Sequence, residues 1–440
     1  MCLGGLATSG LPEVHFARVR GSGRLVFVLL RGGFDGLAAV APTFDPDYYD
    51  LRRSLAVERD GLLELADGFA LTPGLGPLRD FWDRDELLVL HAMAIPFRTR
   101  SHFDGQAVLE TGLADPSGSA DGWLNRLLQI MEGERSGIAV AAGMPRSLMG
   151  EGPVTTWSPA ELGVVDDAYL DRLHLLYRSD PALLGQFEAA LGMLDVGEGA
   201  EAMSTGDGAR GDGVLGDGVV GDGVLGDGVL GDGMAGSDDP TGGGMTGDDP
   251  VGEGMAGPDE EAPPTPRRGG RASPESLFRA TARLMTAPDG PNVAAMEFSG
   301  WDTHANQGRV GGNLDRQLGR LAEGLAAFRE AMGPEWQGTT VVVMTEFGRT
   351  ARPNGSGGTD HGTAGAGFVL GSRVAGSRVV TDWPGLSDRA LYEARDLAPT
   401  LDTRAVLKAV LAGTFDLTGA QTDRVFPGSG GVRGLWELMA

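Results

Sequence analysis

Residues Thr340 to Thr350 read Thr-Val-Val-Val-Met-Thr-Glu-Phe-Gly-Arg-Thr and indicate the fold class most clearly. A short run of apolar and β-branched residues comes first and predicts a buried strand, and polar residues follow it directly. Similar apolar runs predict four more strands, at residues 25–30, 87–91, 293–298 and 367–370. Predicted helices alternate with these strands, at residues 123–131, 167–177, 181–194, 274–285, 313–332 and 400–411. This alternation is typical of an α/β fold in which helices flank a parallel sheet.

Polar residues follow four of the predicted strands. In parallel sheets ligands gather beyond the carboxyl ends of the strands, so these residues are the first candidates for a functional site. They are Asp35; Arg98, Arg100, Ser101 and His102; Asp302 and His304; and Glu346, Arg349, Asp360 and His361. Three of the six histidines of the chain fall in these segments. We therefore predict one active or binding site that is built from several loops.

The donor atoms in these loops suit a divalent metal ion. Cys2 is the only cysteine, so a thiolate cluster cannot form and any metal must use oxygen and imidazole ligands. Asp302 with His304, and Asp360 with His361, offer donors that zinc, manganese and iron accept. The substrate-binding groups that we predict are His102 and three arginines, Arg98, Arg100 and Arg349, because guanidinium groups recognise tetrahedral oxyanions.

The sequence leaves structural alternatives open for these residues. Short polar side chains in such loops also satisfy turn backbones, cap helices or form buried ion pairs. Asp35 and Asp360-His361 could stabilise turns. Asp302 with His304 could cap a helix, and Glu346 could form an ion pair with Arg349. Ser101 begins a capping-box pattern with Asp104, but the same position at a helix N-terminus also suits a nucleophile.

The charge of the chain excludes two classes of partner. Its formal net charge is -25, and such a surface repels nucleic acid and anionic membranes. Between residues 201 and 261 fifteen acidic residues stand against one arginine, so the rest of the chain is only mildly acidic. No run of about 18 apolar residues occurs, which argues against a transmembrane helix. The charge does not identify a protein partner.

The chain reads as a single domain, residues 21–440, with one insertion at residues 199–271. Six consecutive Gly-Asp-Gly-x-x pentads occupy residues 206–235, and this acidic glycine-rich composition predicts disorder. A calcium-binding β-roll is the alternative, but those rolls repeat every nine residues. Residues 1–20 are either a frayed arm or the remnant of an export signal whose basic part lies upstream of Met1.

Five segments resemble a known family: Leu-Arg-Gly-Gly-Phe-Asp-Gly from residue 30, Arg-Ser-His-Phe-Asp-Gly-Gln from residue 100, Gly-Trp-Asp-Thr-His-x-x-Gln from residue 300, Thr-Glu-Phe-Gly-Arg-Thr from residue 345 and Gly-x-Asp-His-Gly from residue 358. Together they resemble the bacterial family called domain of unknown function 1501, whose fold is similar to that of the alkaline phosphatase and sulfatase superfamily. The resemblance implies a three-layer α/β/α sandwich with a mostly parallel sheet. It also implies twin-arginine export to the periplasm, whereas the incomplete signal leaves a cytoplasmic location open.

The resemblance also implies roles for single residues. By motif order, Asp35 matches the first metal ligand of the superfamily, and Ser101 stands near its nucleophile. Asp302 with His304 resembles the later ligand group, Glu346 falls where the superfamily commonly places an Asp-His pair, and His361, next to Asp360, resembles the terminal histidine. Phe347 stands where the superfamily has a histidine, so this sequence departs from the standard pair of zinc ions.

Two functions compete at this point. The first is a metal-dependent hydrolase that acts on phosphate or sulfate esters, with zinc, manganese or iron as its cofactor. The second is a non-catalytic binding or surface-associated protein that keeps the fold with a degraded metal centre. The density of Asp, His and Ser at strand ends favours the hydrolase, whereas Phe347 and the acidic insertion favour the binding protein.

Overall fold

The strands of the protein are short and mostly buried. The computed structural model describes residues 23–131, 135–141, 143–158 and 273–440. The strands in these ranges are β1 Arg24–Leu30, β2 Val40–Pro42, β3 Leu63–Glu64, β4 Phe69–Leu71, β5 Leu87–Ala94, β6 Gly137–Val140, β7 Val154–Trp157, β8 Val293–Phe298, β9 Thr339–Met344, β10 Gly365–Gly371, β11 Arg378–Val380 and β12 Leu401–Asp402. Three of them, in the order β2-β4-β3, form a small antiparallel sheet.

The main sheet has nine strands in the order β11-β5-β10-β9-β1-β8-β6-β7, and β12 also pairs with β5. Only β10 runs antiparallel to its neighbours, β5 and β9, so the other eight strands share one direction. Leu30 at the end of β1 pairs with Phe298 of β8, and Leu29 pairs with Met344 of β9. The segments after these three strands therefore leave the sheet at one edge.

Helices follow most of the strands. They are α1 Gly36–Ala39, α2 Tyr48–Arg52, α3 Leu78–Asp83, α4 His102–Thr111, α5 Trp123–Ile130, α6 Pro274–Thr286, α7 Asn313–Met332, α8 Thr403–Phe415 and α9 Gly419–Val425. Single 3-10 turns lie at Arg53–Leu55, Arg59–Gly61, Pro73–Leu75, Arg146–Leu148, Gly333–Gly338 and Trp436–Leu438. Among the described helices none is long and apolar enough to cross a membrane.

The two faces of the sheet are both buried. Alternate residues of β1 point to opposite sides, so Val26 and Val28 pack in one core cluster and Leu25 and Phe27 in the other. The first cluster includes apolar residues of α6 and α7, and the second includes those of α4, α5, α8 and α9. Each such side chain stabilises the fold by about 1.5–3 kcal/mol when fully buried. The sheet is thus a rigid support for the loops at its edge.

All five predicted strands are present, with ends that differ by no more than three residues. The predicted helix at residues 400–411 begins later, at Thr403, because Asp402 accepts the Arg404 amide at 2.8 Å and caps it. The mixed, mostly parallel sheet with its helices agrees with the predicted α/β class. The predicted helices at residues 167–177 and 181–194, the N-terminal arm at 1–20 and the insertion at 199–271 lie outside the described residues.

Candidate metal centre

Three imidazoles and one carboxylate converge at the carboxyl edge of the sheet. The Asp302 Oδ1 atom lies 3.0 Å from His304 Nε2 and 3.2 Å from His361 Nε2. These two Nε2 atoms are 3.0 Å apart. His102 completes the group, with its Nε2 atom 3.5 Å from Asp302 Oδ2. The structure therefore brings together four side chains from three of the predicted loops.

Local backbone geometry carries these side chains to one place. His102 is the first residue of α4, and Ser101 caps this helix by accepting the Asp104 amide at 3.4 Å. His361 forms an isolated antiparallel bridge with Arg349, which returns the chain to the sheet edge. Gly32, at φ 126°, passes so close to the Asp302 amide that a Cβ atom would lie 2.5 Å from it. Only glycine fits there without strain.

The Nδ1 atoms of the three imidazoles face acceptors only. A carboxylate or carbonyl oxygen accepts a hydrogen bond, so each Nδ1 must be the donor. The contacts are His102 to Glu346 Oε1 at 2.8 Å, His304 to Asp360 Oδ1 at 3.2 Å and His361 to the Arg100 carbonyl oxygen at 3.0 Å. In a neutral imidazole the Nε2 atom then carries a lone pair. The three Nε2 atoms lie 3.0 to 3.5 Å from the oxygen atoms of the Asp302 carboxylate.

Glu346 lies behind His102 and is fully buried. Its Oε1 atom accepts the His102 Nδ1 proton, the Gln106 amide at 3.0 Å and the Gly32 amide at 2.9 Å. Burial by itself would raise the pKa of Glu346, but these hydrogen bonds hold that pKa below its usual value. The same bond raises the pKa of His102. Glu346 is therefore an ionised group that orients an imidazole.

Asp302 is held by Arg349, whose side chain is buried. Arg349 Nη1 donates to Asp302 Oδ1 at 2.5 Å. Partial burial favours a higher pKa for Asp302, and the bond and charge of Arg349 outweigh it, so the pKa of this carboxyl lies below its usual value. Asp302 is thus ionised at neutral pH and is available as an oxygen ligand.

The pKa values of His361 and Asp360 are both lowered, the first by burial and the second by hydrogen bonds. Burial lowers the pKa of His361, and the neighbouring His102 lowers it further. Asp360 has a lowered pKa, chiefly because Asn354 donates to its carboxylate at 3.0 Å. At neutral pH His361 is consequently a neutral imidazole, and Asp360 is an ionised acceptor for His304.

The cluster is open to solvent on one side. The exposed fraction of the side chain is 45% for His304 and 40% for Asp302. Phe347 forms an apolar wall on the protein side, with its ring centroid 5.0 Å from those of His102 and His361. A small molecule can therefore reach the four side chains directly.

Asp35, predicted as the first ligand, is not brought into this group. It is buried, and its Oδ1 atom accepts the Ala38 amide at 3.2 Å, which caps α1. Its Oδ2 atom accepts from Arg52 Nη2 at 2.5 Å and from Gln307 Nε2 at 2.7 Å. Glu346 and Asp360 contact imidazoles of the cluster through Nδ1 and not through Nε2. These two carboxylates therefore support the rings, whereas Asp35 lies one contact further away, behind Gln307.

The three arginines that we predict to bind substrate are engaged with the protein. Arg98 donates to the carbonyl oxygen atoms of Ile95 and Phe97. Arg100 forms ion pairs with Glu393 at 2.6 Å and Asp396 at 2.7 Å. Arg349 binds Asp302, as described above. None of these guanidinium groups points to the open side of the cluster as an unpaired cation.

Sequence reasoning missed several residues that support the site. They are Gln106, Asn354, Thr359 and Asp396, which contact Glu346, Asp360, Arg349 and Arg100 respectively. Gln106 had a signal, because it lies one helical turn after His102 and shares its face of α4. The Arg100 carbonyl that holds His361 is a backbone atom, so side-chain patterns carry no signal for it.

Comparison with known proteins gives one match. Residues 259–426 match the model of a family described as "Protein of unknown function (DUF1501)". The matched range contains Asp302, His304, Asp360 and His361, but it does not reach His102. The search of curated proteins and the search of solved structures both returned no match. The match supports the resemblance to this family over a range that holds three of the five motifs, and the family description names no reaction.

Proposed function

We propose that this protein is a metal-dependent hydrolase whose centre is a single divalent ion held by His102, Asp302, His304 and His361. One observation carries the proposal. Each of the three imidazoles donates its Nδ1 proton to an oxygen acceptor, so in the neutral rings the three Nε2 lone pairs lie near the Asp302 carboxylate. Lone pairs that face one another repel, and a cation between them, either a metal ion or a proton on one of the rings, offsets this repulsion. Histidine ligands of metal ions are oriented in this way, by an acceptor on the second ring nitrogen.

The distances within the cluster fit a metal ion of the first transition row. Bonds of 2.0–2.1 Å in a tetrahedral site place ligand atoms about 3.3 Å from one another. The Asp302 Oδ1, His304 Nε2 and His361 Nε2 atoms lie 3.0 to 3.2 Å from one another, and the His102 Nε2 atom lies 3.5 Å from the other oxygen, Oδ2. Zinc, manganese and iron all accept imidazole and carboxylate ligands. Such an ion would polarise an ester oxygen and lower the pKa of a water molecule.

The residues of the chain have distinct parts in this proposal. Glu346, Asp360 and the Arg100 carbonyl fix the three imidazole rings, and Arg349 keeps Asp302 ionised. Ser101 caps α4, and within the described residues no His, Asp or Glu side chain bonds its hydroxyl and would take its proton. We therefore assign the attacking oxygen to water and not to Ser101.

The substrate class comes from the family resemblance. Phosphate or sulfate esters, in small molecules or polymers, are the substrates of the superfamily with the alkaline-phosphatase-like sandwich, and we extend that fold and substrate class to this chain as part of the proposal. The open side of the cluster supports it, since an ester must approach the four side chains from solvent.

Steady-state hydrolysis tests the proposal. The protein, loaded with zinc or manganese, should hydrolyse 4-nitrophenyl phosphate or 4-nitrophenyl sulfate. The Asp302→Ala variant should lose activity by about 100-fold, because a ligand of the ion is removed. Asp388→Ala is the matched control, since Asp388 is 78% exposed in an ion pair with Arg352 and lies in none of the site contacts. Equal rates for the wild type and Asp302→Ala would rule out this centre as the site of hydrolysis.

A binding protein without catalysis is the second candidate, and one observation favours it. The three arginines that were expected to hold the ester anion are all engaged with protein acceptors. A protein that binds one metal ion per chain but hydrolyses neither ester would support this second function.

A further inference from the structure

A chain of buried hydrogen bonds runs from Asp35 to Asp302. Gln307 Nε2 donates to Asp35 Oδ2 at 2.7 Å. Thr359 donates its hydroxyl proton to Gln307 Oε1 at 3.0 Å. Arg349 Nε donates to the Thr359 hydroxyl oxygen at 3.2 Å, and its Nη1 atom donates to Asp302 Oδ1 at 2.5 Å. The chain therefore links a residue outside the cluster to a residue within it.

Every proton in this chain has a fixed direction. The Asp35 carboxylate only accepts, which turns the Gln307 amide nitrogen towards it and the amide oxygen away. That oxygen only accepts, so the Thr359 hydroxyl must point its proton to Gln307. The lone pair of Thr359 is then left for the Arg349 Nε proton. The Thr359 hydroxyl is thus one of the acceptors that hold the Arg349 guanidinium group, beside the carbonyl oxygen atoms of Gly32 and Thr359.

The residues of this hydrogen-bond chain are buried, which keeps the directions of its hydrogen bonds fixed. Gln307 and Thr359 are fully buried, and Arg349 is 2% exposed. Arg52, also fully buried, anchors the far end of the chain through its contact with Asp35 at 2.5 Å. Water cannot replace a lost partner at such positions without a rearrangement, because buried polar groups depend on their protein partners.

We propose that Asp35, Gln307 and Thr359 are positioning residues, which fix Arg349 and through it the Asp302 carboxylate for metal binding. This inference rests on the metal centre of the proposed function. In this inference Asp35 does not bind the metal ion but holds Gln307 in place. The site then includes Asp35, which caps α1.

Thr359 and Thr303 offer a matched test. Both are buried, and both donate to the same Gln307 oxygen, Thr303 at 2.8 Å and Thr359 at 3.0 Å. Each also adjoins a residue of the site, Asp302 or Asp360. Only Thr359 passes the connection on to Arg349. A valine at either position removes the hydroxyl and keeps the shape of the side chain.

The experiment is calorimetric titration of the full-length metal-free chain with Zn²⁺. We expect Thr359→Val to weaken zinc binding by about 10-fold, as changes around metal ligands do. Thr359→Ser restores the hydroxyl and should bind as tightly as the wild type, and Thr303→Val should also bind as the wild type does. Gln307→Leu interrupts the chain at another point and should weaken binding like Thr359→Val, which keeps the test possible if one variant does not fold.

The outcomes separate this inference from the proposed function. Wild-type protein that binds zinc, with the same affinity in Thr359→Val and Gln307→Leu, would overturn the positioning role alone. Equal weakening by Thr303→Val and Thr359→Val would also overturn it, because the loss of any hydroxyl near the site would then suffice. Wild-type protein that binds no zinc would overturn both proposals.

Discussion

At the scale of single residues, the site depends on which ring nitrogen of each histidine carries a proton. Glu346, Asp360 and the Arg100 carbonyl each accept an Nδ1 proton, so the three Nε2 atoms lie on the side of the Asp302 carboxylate. Of these acceptors Glu346 is the most enclosed, with four hydrogen bonds to its carboxylate. It is therefore the residue where a small change should affect the metal centre most.

The first prediction concerns the charge of this acceptor. Glu346→Gln keeps the shape of the side chain but weakens its bond to His102, so zinc affinity should fall by about 10-fold or more. Calorimetry of the variant measures the change, and circular dichroism confirms that it is folded. Glu297→Gln is the control, because Glu297 pairs with Arg31 at the same sheet edge without contacting an imidazole. Unchanged zinc affinity in Glu346→Gln would show that its carboxylate does not act through His102.

The candidate residues were predictable from sequence, but their grouping was not. Post-strand position alone indicated Asp302, His304 and His361, and all three lie in the cluster. His102 was assigned to substrate because nothing in its local pattern shows where the ring points. Asp35 and Glu346 also follow strands, yet their surroundings depend on Arg52, Gln307 and Gln106, which are distant in sequence. Such partners become visible only in three dimensions.

At the scale of elements, the tight turn after β1 determines whether the site can form. A Cβ atom at Gly32, φ 126°, would lie 2.5 Å from the Asp302 amide nitrogen, whereas at Gly311, φ 72°, nothing lies within 4 Å. Gly32→Ala should therefore destabilise the fold by roughly 3 kcal/mol or more, through both strain and overlap. Gly311→Ala should lose only about 1–2 kcal/mol, through strain alone. Urea unfolding of the two variants measures the difference, and equal losses would contradict the close approach.

A third prediction concerns β5, where burial lowers the pKa of His91 to about 4. Its partners are the Val40 carbonyl at 3.0 Å and the Ala92 amide at 2.8 Å. The unfolded chain takes up a proton on this residue near pH 6.5 and the folded chain does not, so the free energy of unfolding should decrease as the pH falls from 6.5 towards 4.

The size of this effect can be measured by comparison with His91→Gln. By pH 5 the wild type should lose about 2 kcal/mol more than the variant, relative to pH 7.5. The variant is less stable at every pH because it lacks the packed ring, but its profile should be flatter. Parallel profiles from urea unfolding at the two pH values would show that His91 takes up its proton equally in both states.

Strand and helix positions follow from sequence where an apolar run is bounded by polar residues. β8 and α7 begin and end where they are predicted to. The residues of β8 form one short, mostly apolar run, and the apolar residues of α7 recur at helical spacing. Two short strands at one side of the sheet show no such signal. β6 and β7 have four residues each, and the two threonines of β7 are exposed, so neither strand stands out from a loop.

At the scale of the whole molecule, the acidic repeat should be dispensable. Deletion of residues 206–235 removes only Gly-Asp-Gly-x-x pentads, and a chain of this composition buries too little apolar surface to stabilise a fold. The melting temperature and the zinc affinity should equal those of the full chain. Differential scanning calorimetry measures the first, and a decrease of several degrees would show that the repeat is structured or packed on the rest.

The metal content of the purified protein is the decisive measurement for the proposed metal centre. After expression in medium supplemented with zinc, manganese and iron, inductively coupled plasma mass spectrometry should find one transition metal ion per chain. A double variant, His304→Gln with His361→Gln, should contain less than about a tenth of that amount. Protein free of metal, or a double variant with the full content, would contradict a centre built from His102, Asp302, His304 and His361.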